Sequence, residues 1–169
     1  MSTKRIQLTL FVGENESEPI EQIRREFDPI QHAIIGAHVT LCREDELEQI
    51  EKVMRNIEAL NAAPLSIEFG KVIRFSEGKG VLMPAVGENE GFQQLRQAIL
   101  RGIIEAPRKH EPHITLMHPR NVSCTDDMFK HIETCVLPTR ITFSKISFIE
   151  QEMGKKWHIL HTFALKSRP

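Results

Sequence analysis

A tetrapeptide, His38-Val39-Thr40-Leu41, returns 75 residues later as His113-Ile114-Thr115-Leu116, and this near-duplication limits the possible folds more than any other feature of the chain. Both copies are short and rich in β-branched residues, so they read as strands. Alternate side chains of a strand share a face; each copy therefore puts its histidine and threonine on one side and its two aliphatic residues on the other. One copy is expected by chance on the order of 0.01 times in a chain of this composition, so two copies form a specific signal. A single strand histidine is usually a solvated or hydrogen-bonded structural residue, and a threonine can be no more than a good strand former. The identical offset in both copies argues for an active-site pair instead.

The segments around the motifs interleave strands and helices. Residues 5–12 and 37–42 read as strands, as do 65–75 and 80–86, which a Ser76-Glu77-Gly78-Lys79 turn joins as an antiparallel hairpin. Residues 141–152 and 157–165 form a terminal strand pair around Gly154-Lys155. Helices are expected from Ser17-Glu18-Pro19-Ile20, with Pro19 near the first helical position and Ile20, Ile23, Phe27 and Ile30 on one face, limited or kinked by Pro29. Others are expected from an Asp45 cap through Leu47, Ile50, Val53, Met54, Ile57 and Leu60, over 89–104, and from Ser123–Asp126 through Met128, Ile132 and Val136. Hairpins outnumber strict strand–helix–strand units, and no G-x-G-x-x-G or Walker loop is present. The fold class is therefore α+β with antiparallel sheets, and 1–169 is read as a single domain.

Composition narrows the function. No apolar run approaches the ~18 residues of a membrane span, so a cytoplasmic protein with no membrane association is expected; the chain is separately read as a monomer. A formal net charge of −1 supplies no broad positive field, so any nucleotide partner is short or gripped locally. Cys42, Cys124 and Cys135 show no C-x-x-C spacing, which suggests neither a disulfide framework nor a thiolate metal site. Cys42 lies on the histidine face by alternation, but nothing nearby marks it as a nucleophile. His110, His113 and His118 match no common zinc spacing, and Pro112 and Pro119 break any helix that could align them. His158 and His161 fall on opposite faces of a strand, and Lys155, Lys156 and Trp157 read as a solvated hairpin tip beside a half-buried ring.

Two imidazoles on one cleft suit phosphodiester chemistry: one takes a proton from the attacking nucleophile and the other gives one to the leaving oxygen. The hydroxyls of Thr40 and Thr115 can hold the non-bridging phosphoryl oxygens. This arrangement needs no metal.

On His38, Thr40, His113 and Thr115, with Pro112 before the second histidine, the chain resembles the two-histidine phosphoesterase superfamily, which includes the 2′-5′ RNA ligase-like proteins and cyclic nucleotide phosphodiesterases. The resemblance implies a bilobal, pseudo-twofold α+β fold with flanking helices and a central cleft. It also implies cleavage of a 2′,3′-cyclic phosphate or related nucleotide or RNA-end phosphodiester, often leaving a 2′-phosphate, with no cofactor and with a small nucleotide or RNA terminus as partner. His113 would be the general base and His38 the general acid. Many relatives carry a basic residue two positions after the second leucine. Here that position is His118, with Arg120 two further on, so anion binding falls to His118, to Arg120 or to neither. Arg43 holds the matching position after the first motif, where alternation aims it away from the histidines. The alternative is a nucleotide- or phosphate-binding module of the same fold with little or no turnover.

Overall fold

The computed structural model describes residues 4–167. In chain order its elements are β1 (Lys4–Phe11), α1 (Glu14–Phe27), α2 (Pro29–Ile34), β2 (His38–Cys42), a 3₁₀ turn (Glu44–Glu46), α3 (Ile50–Glu58), β3 (Leu65–Glu68), β4 (Ile73–Phe75), β5 (Gly80–Pro84), α4 (Glu90–Ile99), β6 (His113–Met117), α5 (Asp126–Thr134), β7 (Arg140–Phe143), β8 (Lys145–Glu152) and β9 (His158–Ala164). The class is α+β, and every strand pairing is antiparallel.

The two motif strands are neighbours at the centre of a seven-stranded sheet, ordered β4-β5-β6-β2-β1-β8-β9. They meet with Val39 opposite Ile114. Outward from this pair the two sides repeat each other. β1 flanks β2 with Thr9 opposite Thr40 and Phe11 opposite His38, while β5 flanks β6 with Leu82 opposite Thr115 and Pro84 opposite His113. Even the register shifts correspond, between Leu8 and Thr9 on one side and Val81 and Leu82 on the other. Such bulges bend and twist a strand, and they recur beside active sites. A pseudo-twofold axis thus passes between Val39 and Ile114, and β9 is the added strand without a counterpart.

On the face away from the histidines, Leu10, Val39, Leu41, Met83, Ile114 and Leu116 are buried. They join one hydrophobic cluster with Ile20 and Ile23 of α1, Val53 and Ile57 of α3, Phe92, Leu95 and Ile99 of α4, and Ile132 of α5. Ile67, Ile141 and Phe143 bring the two-stranded sheet β3-β7 into the same cluster. Each fully buried aliphatic side chain contributes about 1.5–3 kcal/mol relative to exposure, so this face holds the histidine strands in place.

Several boundaries differ from the sequence reading. Helix α1 begins at Glu14, with Pro19 inside it, because the Gly13 carbonyl accepts from the Glu16 and Ser17 N–H groups and Glu14 and Glu16 oppose the helix dipole. The segment through Ile30 is two helices: Asp28 ends α1 and caps α2 by accepting from the Gln31 N–H, leaving Ile30 56% exposed. The helix expected from Asp45 is split, since Arg96 and the Arg43 N–H hold the Glu46 carboxylate in a 3₁₀ turn before α3 starts at Ile50. Helix α4 stops at Ile99, where Asn56 takes the Ile99 and Arg101 carbonyls and Gly102 adopts a positive φ of 73°. Helix α5 ends at Thr134 and leaves Val136 89% exposed.

Two predicted long strands each divide between the sheets, 65–75 into β3 and β4 and 141–152 into β7 and β8. The 76–79 turn does close an antiparallel hairpin, with Ser76, Glu77 and Gly78 all at positive φ. No described helix is long and apolar enough to cross a membrane.

Candidate active site

Continuing the Val39–Ile114 register, His38 faces Thr115 and His113 faces Thr40 on the same side of the sheet. The two histidines are then diagonal neighbours across the axis, their backbones about 7–8 Å apart by sheet geometry. Both rings are half-buried. Each is anchored in the same way: His38 Nδ1 lies 2.8 Å from the Gly36 carbonyl oxygen and His113 Nδ1 lies 3.0 Å from that of Glu111. A carbonyl can only accept, so Nδ1 carries the proton in both rings. In the neutral state each Nε2 therefore holds a lone pair. Each ring also has an edge-on neighbour with centroids 6.0 Å apart, Phe11 for His38 and His110 for His113.

A helix on the N-terminal side of each motif strand contributes one buried arginine. Arg24 of α1 pairs with Glu21 and donates through Nη2 to the Ile35 carbonyl at 2.7 Å, just before the first motif. Arg96 of α4 donates to Glu46 at 3.0 and 2.7 Å, to the Leu41 carbonyl at 2.6 Å and to the Arg108 carbonyl at 3.1 Å. Burial opposes ionisation of Glu46, but its hydrogen bonds to Arg96 and the Arg43 N–H outweigh this and hold the carboxyl below its ordinary range. Neither arginine Nε has a hydrogen-bond partner. The sequence reading did not identify these arginines, although a signal was available. Arg24 falls among Ile20, Ile23 and Phe27, and Arg96 among Phe92, Leu95 and Ile99, each on the apolar stripe of its helix.

Desolvation by burial lowers the His38 pKa to about 4, against the raising effect of its bond to Gly36, and the charges of Arg24 and His113 lower it further. His110 is also lowered to about 4, by burial first and then by Arg96 and His113, and its Nε2 has no partner. Both rings are thus neutral at neutral pH.

The two threonines differ in their support. Gln7 Nε2 donates to Thr40 Oγ1 at 3.1 Å and to Thr9 Oγ1 at 2.7 Å, which occupies an acceptor site on Thr40 and leaves its own O–H to point elsewhere. Thr115 lies opposite the apolar Leu82. Gln7 was not singled out in the sequence, because its role depends on the β1–β2 register.

His118 and Arg120 lie on the turn after β6 and are tied to the α1–α2 corner. The His118 N–H donates to Asp28 Oδ2 at 2.8 Å, and Arg120 Nη2 donates to Gln31 Oε1 at 3.4 Å. The Arg120 N–H donates to His118 Nδ1 at 3.3 Å. Burial, followed by the charge of Arg120, lowers the His118 pKa, so Arg120 is the cation of that turn. Arg43 instead lines an open hollow of about 470 Å³ with Thr40, Gln7 and Arg5. Cys42 is buried and its thiol is pushed up to about 12 by burial, which makes it unreactive. His158 and His161 are exposed, and Trp157 lies under the Arg5 guanidinium at 5.5 Å. Among the described residues, no group of three or more His, Cys, Asp or Glu side chains could hold a metal ion.

A family model described as the 2′-5′ RNA ligase superfamily matches residues 12–155. The chain belongs to this superfamily of two-histidine phosphoesterases. Superfamily likeness extends to solved structures. E. coli LigT complexed with phosphate aligns at 17% identity with a TM-score of 0.67, covering 97% of this chain and 98% of that one. E. coli LigT in apo form aligns at 15% identity and 0.69, again covering 97% and 98%. TT0787 of Thermus thermophilus aligns at 17% identity and 0.65, covering 98% and 100%. At these identities the likeness is one of fold. A comparison with curated proteins gives no match.

Proposed function

We propose that this superfamily member is a phosphodiesterase that opens a 2′,3′-cyclic phosphate on a nucleotide or RNA end, with His38 and His113 as its acid–base pair. The observation that carries the reading is the matched tautomer of the two rings: both Nδ1 atoms are committed to backbone carbonyls, so both Nε2 atoms are available on one face. A phosphoryl group between them could lose a leaving oxygen to one ring's proton while the other takes a proton from water. Thr40 and Thr115 would donate to its non-bridging oxygens, and Arg120 would add positive charge from the turn after β6. LigT structures hold phosphate, NADP+, 3′-AMP and ATP, all phosphoryl compounds, in agreement with this choice of substrate class.

The direction of proton transfer is a separate matter. Family resemblance makes His113 the base and His38 the acid, which requires His38 to gain a proton as the anionic substrate arrives beside it. The lowered His38 pKa favours the reverse, because the unliganded ring is already a base. The pH dependence of kcat/KM reads the free enzyme. Its shape is the same for either assignment, because a protonated acid with a free base and the reverse arrangement carry the same number of protons; a substrate with an activated leaving group separates them, rescuing His38→Ala more than His113→Ala if His38 is the acid and the reverse if it is the base.

Incubating the protein with 2′,3′-cyclic AMP tests the activity itself. Turnover to adenosine 2′-phosphate that survives EDTA is expected. Binding without turnover would make the chain a nucleotide-binding module, and loss on chelation restored by one divalent ion would require a metal-assisted route.

A further inference from the structure

The hollow beside Thr40 has walls of known charge. Arg5, Arg43, Glu44 and Asp45 line it, with Gln7 and Ile6 between them. Its two carboxylates are already matched: Glu44 lies 3.7 Å from Arg5 Nε, and Asp45 lies 3.3 Å from Arg108 Nη2. Arg5 is engaged further by Gln151 at 3.5 Å and by the Trp157 ring. Arg43 is exposed and makes no ion pair among the described residues. The hollow therefore holds one uncompensated guanidinium, in a space of nucleotide size that begins at a motif threonine. Position matters as well. Arg43 comes three residues after Thr40, about 10 Å along an extended chain, which sets it beyond the histidine pair. The other cation, Arg120, follows the other motif strand and reaches the α1–α2 corner instead.

Resting on the reading above, we infer that Arg43 binds a second phosphate of the substrate, the one linking the cyclic-phosphate nucleotide to its neighbour, so that the hollow selects an oligonucleotide end over a free mononucleotide. A planar, exposed guanidinium without an ion pair suits a phosphodiester, which it can bind through two parallel hydrogen bonds. Its exposure makes the attraction salt-dependent. The gain belongs to substrate binding rather than to the reacting atoms, so it reads out in KM.

The test compares 2′,3′-cyclic AMP with the dinucleotide ApA ending in a 2′,3′-cyclic phosphate, in the wild type and in Arg43→Gln. Arg43→Gln is expected to raise KM for the dinucleotide about tenfold more than for cyclic AMP, and to flatten the rise of the dinucleotide KM with salt. Calorimetric titration with the products, 2′-phosphorylated ApA and 2′-AMP, reads the same preference without turnover. The wild type should bind the dinucleotide product about tenfold tighter, and Arg43→Gln should lose most of that margin. A binding preference in a protein that hydrolyses neither substrate would end the proposed activity and leave this inference intact. Equal weakening for both ligands would place Arg43 on the scissile phosphoryl group, and no wild-type preference would leave the hollow without this role; either result overturns it.

Discussion

The two halves of the sheet, β8-β1-β2 with α1 and β4-β5-β6 with α4, share a register and bulge positions but differ in how each motif is supported. In the first half the support is local. Arg24 ties α1 to the loop entering its own motif strand, and Gln7 and Thr9 brace Thr40 from the adjacent strand. In the second half it crosses the axis. Arg96 reaches from α4 to the Leu41 carbonyl and Glu46 of the first half while also holding Arg108 on its own side. On its outer side Thr115 faces the apolar Leu82, where Thr40 faces Thr9, and His113 leans on His110 where His38 leans on Phe11. The repeat thus places four side chains alike, and the residues behind them set how rigidly each is held.

The arginines should separate the halves most strongly. Arg96→Met leaves the buried Glu46 carboxylate without its cation and should destabilise the protein by about 3–5 kcal/mol in urea unfolding. Arg24→Met should cost about 1–3 kcal/mol, because the Glu21 side chain is 18% exposed and can reach water. A double change of Arg96 and Glu46 to apolar residues should recover much of the first loss. An equal cost for the two single changes would mean that Arg96 does not join the halves.

Support for the threonines should give a smaller difference. Gln7→Leu removes the bond that orients Thr40 and should lower kcat/KM on a cyclic nucleotide by about 3–10-fold. Leu82→Ala, facing Thr115, should change it by less than about threefold. The reverse order would make Thr115 the better-held hydroxyl.

The pH dependence of stability should show the least contrast. His38 and His110 have folded pKa values near 4 against 6.5 for the free side chain, so between these values the unfolded chain binds more protons. Their contribution is fully present above pH 6.5 and is lost as pH falls toward 4. His110→Leu should flatten the Tm curve in that window and also remove the buried, unpartnered Nε2. An unchanged slope would show that His110 does not titrate with unfolding.

The motif strands and the amphipathic faces of α3 and α4 were legible because their side-chain periods are local properties of the sequence. Strand order was not. Residues 65–75 and 141–152 read as continuous strands, and only tertiary packing divides each between two sheets. Likewise His38, His113, Thr40 and Thr115 could be named from the repeat, whereas Gln7 becomes visible only when β1 lies beside β2 with Thr9 opposite Thr40. Arg43 was set aside by strand alternation. The strand ends at Cys42, and the 3₁₀ turn held by Glu46 takes the chain into the wall of the Thr40 hollow.

The most direct test of the paired histidines is kcat on 2′,3′-cyclic AMP for His38→Ala, His113→Ala and the double variant. Each single change should lower kcat by about 10²- to 10⁴-fold, and because both rings act in one transition state the double variant should lose far less than the product of the two. Wild-type turnover by either single variant would contradict the account.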